Sequence, residues 1–119
     1  MSLTPDTMTR DQRSILLYAE SCAVEHGGLL EGIRMNKDDH AALDDLAQAG
    51  MLTWGRTPGK LLGTFQRNVT HWCDLTEAGW ALAFQLRRER AAKPNASRQK
   101  VDAYFAERDA ARAPETEAE

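Results

Sequence analysis

The sequence predicts a mainly helical α+β domain with a small antiparallel hairpin and a helical extension at its C-terminus. Three observations carry that expectation. Ala42, Leu43, Leu46 and Ala47 recur at helical spacing and stop at Gly50, where a left-handed cap suits glycine. Val69 to Asp74 alternates with a strand's period of two, placing Val69, His71 and Cys73 on one face. Leu75-Thr76-Glu77-Ala78-Gly79 then opens a helix, with Thr76 as a good N-cap and Glu77 favourable in the first turn.

Taken in order, residues 1–8 read as a flexible leader. Thr9 and Gln12 have capping-box spacing, so a first helix starts there. Ile15, Leu16, Ala19, Cys22 and Ala23 form its apolar stripe, and Gly27-Gly28 ends it. Leu29 to Asn36, with Gly32 in the middle, is too short for a strand plus a full helix. It reads as a single turn or extended piece anchored by Leu29, Leu30, Ile33 and Met35. Asn36 or Asp38 caps the helix to Gly50. Met51-Leu52-Thr53-Trp54 is a short strand expected to pair antiparallel with Val69–Asp74, with Trp54 facing Trp72 across the hairpin. The helix from Thr76 reaches about Lys93, with Trp80, Ala83, Phe84 and Arg87 as one stripe and Ala78, Leu82 and Leu86 beside it, and Pro94 breaks it. A last helix from Ser97 to about Arg112 carries Val101, Tyr104 and Phe105 as a narrow apolar stripe. Residues 113–119 read as a disordered acidic tail. The expected core includes Ile15, Ala19, Leu43, Leu46, Leu52, Leu75, Leu82 and Leu86.

A chain of 119 residues fits one domain with a core of its own. No apolar run approaches a membrane span, and the opening MSLTPDTMTR lacks a signal peptide's apolar region, so no membrane partner is expected. Two cysteines without a CxxC suit buried thiols and a cytoplasmic location. The net charge of −3 is unevenly spread: −5 over residues 1–54, +6 over 55–100 and −4 over 101–119. A basic centre between acidic flanks can create a positive face on an acidic protein.

The residues Ala-Leu-x-x-Leu-x-x-Ala-Gly-Met-Leu, a basic loop, and Leu-Thr-Glu-Ala-Gly-x-Ala-Leu together resemble the wing region of MarR-type and PadR-type regulators. The resemblance spans Asp38 to Leu86. It implies a winged helix with a compressed helix-turn-helix over residues 9–93, followed by a C-terminal helix over 94–112. It also implies a small DNA-binding protein, a transcriptional regulator of bacterial or phage type, in which the helix before the wing reads DNA. On that reading Asn36, Lys37 and His40 reach base edges and Arg56, Lys60 and Arg67 grip phosphates of double-stranded DNA. Val101, Tyr104 and Phe105 would pack on the domain or on a second copy, making a homodimer. The aspartates beside Lys37 would be repelled by phosphate, which favours an acidic face touching protein. The alternative is therefore a protein-binding winged helix, an adaptor or inhibitor docked on a nucleic-acid-handling complex.

No cofactor, metal or catalytic role is expected. Cys22, His26, His71 and Cys73 are ligand types, but no spacing forces them together. The chain lacks a glycine-rich phosphate loop, an HExxH motif and a nucleophile elbow.

Overall fold

A computed structural model describes residues 2–65 and 67–117, the last five of these by their backbone alone. The chain is α+β and about 65% helical. It divides into two compact units, residues 1–89 and 90–119.

In the first unit, α1 (Arg10–His26) begins at a true capping box: the Thr9 hydroxyl accepts from the Gln12 amide at 3.1 Å, and the Gln12 side chain accepts from the Thr9 amide at 3.0 Å. Two of the helix's orphan donors are satisfied at once. Gly27 and Gly28, both left-handed, turn the chain into β1 (Leu29–Glu31). A single 3-10 turn follows at Gly32–Arg34, and then α2 (Lys37–Gln48), capped reciprocally by Asn36 and Asp39. Residues 29–34 thus hold both a strand and a helical turn, each cut to three residues. Ile33 does not anchor this segment as expected; it is 85% exposed. Three residues per 3-10 turn spread Gly32, Ile33 and Arg34 around the axis, and the inward positions fall to Leu30 and Met35, both buried.

Gly50 closes α2 in a Schellman motif, with φ of 78° and the Met51 amide donating to the Leu46 carbonyl at 2.9 Å. The chain enters β2 (Leu52–Arg56), passes a 3-10 helix at Gly59–Thr64, and returns as β3 (Val69–Leu75). The sheet order is β1-β3-β2, antiparallel throughout. The expected pairing forms, but its register sets Trp54 opposite Cys73 and Gly55 opposite Trp72. The Trp54–Trp72 pair is therefore corrected. A Cβ at Gly55 would lie 3.0 Å from the Trp72 ring, so Trp72 covers a glycine, while Trp54 shares the other face with His71.

Next comes α3 (Glu77–Ala92). The Thr76 hydroxyl accepts from the Gly79 amide at 3.1 Å and donates to the Gly50 carbonyl at 2.6 Å. The buried face of α3 is Gly79, Leu82, Ala83 and Leu86. The stripe expected through Trp80 and Phe84 is rotated away, at 40% and 61% exposed. One core cluster joins Leu16, Leu30, Leu43, Leu46, Leu52, Cys73 and Leu82 from α1, the sheet, α2 and α3. Leu75 is only partly buried against it. The leader belongs to the fold rather than hanging loose: Met8 is in the core and Leu3 packs on it.

The second unit carries α4 (Ala96–Glu117), which runs five residues past the expected end at Arg112. The expected acidic tail is helical to Glu117, and residues 118–119 lie outside the described residues. Val101, Tyr104 and Phe105 are exposed on α4. Tyr104 and Phe105 meet edge to face at 5.3 Å, and the Arg108 guanidinium lies 4.7 Å from the Phe105 centroid. No helix among the described residues is long and apolar enough to cross a membrane.

Candidate functional site

Two surfaces of the first unit gather chemistry. The first is where α2 meets the β2–β3 hairpin. The rings of His40 (α2), Trp54 (β2) and His71 (β3) form a triangle, with centroids 5.1 to 5.7 Å apart. The Trp54 indole donates to Asp44 of α2 at 3.2 Å, so one side chain ties strand to helix. His71 is buried, and its ring nitrogen is 2.7 Å from the Thr70 hydroxyl. Burial, with the charges of His40 and Arg56 beside it, holds its pKa below the ordinary histidine value. Arg56 stands directly across the ladder from His71 and is exposed.

The six residues expected to touch DNA separate on this surface. Asn36 is spent as a cap: its side-chain oxygen accepts from the Asp39 amide at 2.9 Å, and its own amide donates back to the Asp39 carboxylate. His40 is half-buried in the ring triangle. Lys37, Arg56 and Lys60 are exposed. Arg67 does not join them, because its Nε donates to Glu31 at 2.7 Å. The cause is the third strand, which sets Glu31 opposite Val69, two residues after Arg67. Helix α2 is acidic, with four aspartates against one lysine over Lys37–Gln48, of which Asp38 and Asp44 are exposed. The 3-10 helix of the β2–β3 loop turns Leu61 and Leu62 outward, at 44% and 45% exposed.

The second surface is a cleft of about 420 Å³ lined by Tyr18, Ser21, Cys22, Glu25, His26, Glu31, Arg34 and Arg67. Glu31 is its centre. One carboxylate oxygen accepts from Arg67 and the other from Arg34 at 2.9 Å. Arg67 first, then Arg34, holds its pKa below the usual carboxylate value. The Tyr18 hydroxyl accepts from the Glu31 amide at 3.1 Å. Nothing in the sequence pattern pointed to this cleft, since residues 18, 31, 34 and 67 meet only once β1 pairs with β3.

The four metal-ligand types do not assemble: among the described residues no group of three or more His, Cys, Asp or Glu gathers at metal-binding distance. Burial raises the Cys22 thiol pKa and pushes that of Cys73 up to about 12, and the Cys73 thiol donates weakly to the Ala19 carbonyl at 3.8 Å. Such thiols stay protonated and unreactive. Comparison of the chain with protein-family models, with curated proteins and with solved structures finds no match.

Proposed function

We propose that the first unit is a winged helix that docks on a protein, with α2 and the wing loop as its contact surface and no catalysis of its own. The element order α1, β1, a helical turn, α2, β2, β3, α3, with β3 central in the sheet, supports the winged-helix reading; the second helix of that plan is reduced to the Gly32–Arg34 turn. The state of α2 carries the protein-docking reading. A groove-reading helix needs free donors and positive charge beside phosphates. Here Asn36 is locked in a cap, His40 packs edge-to-face with Trp54, and the helix carries Asp38 and Asp44 on its exposed side. Two leucines presented side by side at the wing tip suit an apolar hollow on a partner. That partner is a protein with positive charge opposite α2.

A second reading rests on Arg56 and Lys60, which are exposed and outside every ion pair among the described residues. They can hold phosphates from the wing without reading sequence. Neither reading needs the second unit, whose Val101–Tyr104–Phe105 stripe we assign to a second copy of the chain. The test of docking is a photo-activated cross-linker at Leu61 in the full chain, followed by affinity measurements on the captured protein. Leu61→Asp with Leu62→Asp should weaken binding about ten-fold or more, and Val24→Asp, on an exposed residue of α1, should not. Cross-links to nucleic acid alone, or an unchanged affinity in the double variant, would favour the wing-phosphate reading.

A further inference from the structure

The α1–β1 cleft combines features that point to a ligand distinct from any docking partner. Arg34 and Arg67 each spend only Nε on Glu31. Among the described residues, the terminal amino groups of both have no hydrogen-bond partner. A guanidinium carries five N–H donors in a rigid fork that matches a carboxylate. Glu31 therefore acts as a shared clamp that orients two forks and leaves their outer donors open.

The charge balance narrows the class of ligand. Glu31 offsets one arginine. Glu25, which also lines the cleft, takes part in no ion pair among the described residues and offsets the other. A lining with open cationic donors, an open carboxylate and no net charge from these four groups mismatches a phosphate dianion. It matches a molecule that carries one negative and one positive group. A volume of about 420 Å³ has room for such a molecule with a modest side chain, and small-ligand sites begin near this size.

We propose that this cleft binds a small zwitterionic carboxylate of the amino-acid class. Its carboxylate sits on the outer donors of Arg34 and Arg67, and its ammonium on Glu25. The site lies at the foot of the wing, where the Arg67–Glu31 pair ties the returning loop to β1. A bound carboxylate that draws on Arg67 would therefore be felt at the wing.

The experiment uses the full chain labelled with ¹⁵N and titrates the twenty free amino acids one at a time, with inorganic phosphate at matched ionic strength as the comparator. The expected result is saturable movement of the Arg34 and Arg67 Nε–H signals by at least one amino acid, with a dissociation constant of about 1 mM or tighter. Affinity should fall about ten-fold in Arg34→Gln and again in Glu25→Gln. Both positions are exposed, and unchanged thermal unfolding shows that each variant is folded. The proposal is overturned if no amino acid gives a saturable shift. It is also overturned if phosphate binds the cleft more tightly, or if neither variant alters the affinity.

Discussion

Gly79→Ala is the substitution for which two physical effects disagree most openly. In a helix interior alanine is favoured over glycine by about 1 kcal/mol, so propensity alone makes the variant more stable. Packing says the opposite. A Cβ at Gly79 would sit 2.9 Å from the Met51 carbonyl carbon and closer still to its oxygen, both immobile backbone. To make room, the first turn of α3 must draw back from the start of β2. That strains the Thr76 amide bond to the Met51 carbonyl at 3.0 Å and the Thr76 hydroxyl bond to the Gly50 carbonyl at 2.6 Å. Overpacking typically costs about 1–3 kcal/mol, and each weakened hydrogen bond about 1 kcal/mol. After subtracting the propensity gain, the expected net loss is about 2–4 kcal/mol. Urea unfolding followed by tryptophan fluorescence measures it. Gly59→Ala, where an added Cβ meets nothing within 4 Å, should stay within about 0.5 kcal/mol of the parent. A Gly79→Ala protein as stable as the parent would refute the reasoning.

Three further outcomes follow from the same geometry. Leu46→Ala removes a side chain with no exposed surface from the centre of the core and should cost about 2–5 kcal/mol in chemical denaturation; a loss below about 1 kcal/mol would mean the site collapses or is loosely packed. His71 has a folded-state pKa below its unfolded value, so the unfolded chain takes up the proton first. Its contribution to stability is present above about pH 6.5 and is lost as pH falls through the folded-state value. His71→Phe should flatten that part of the stability–pH curve, and an unaltered curve would remove the assignment. Light scattering of the full chain and of Val101→Ser/Tyr104→Ser should give a dimer and a monomer respectively; two monomers would show that the exposed stripe of α4 has no second copy upon it.

Local signals carried most of the fold because they depend on neighbours in the chain. The Thr9–Gln12 box, the Gly50 stop and the Thr76 cap are satisfied within a few residues, and each is legible as a pattern. The glycine of Leu-Thr-Glu-Ala-Gly is legible too, and its reason is the Met51 carbonyl pressed against it. What could not be read depends on register. One residue's slip decides whether Trp54 meets Trp72 or Cys73, and nothing in a five-residue and a seven-residue strand sets it beforehand. The face of α3 was ambiguous because Trp80 and Phe84 are as apolar as Leu82 and Leu86. Of the candidate site, the exposed Lys37, Arg56 and Lys60 were legible as basic positions in a polar loop and at a helix start. The diversion of Arg67 to Glu31 was not, because it is a contact across 36 residues created by a three-residue strand.

On the proposed function, α2 and the β2–β3 loop dock on a protein and do not read duplex sequence. Selection of the full chain against a random pool of double-stranded DNA at physiological salt tests it most directly. The expected result is no enriched sequence and only weak, steeply salt-dependent binding, with a dissociation constant of about 10⁻⁶ M or weaker. An enriched sequence bound at about 10⁻⁸ M or tighter, with affinity lost in Lys37→Ala, would contradict it.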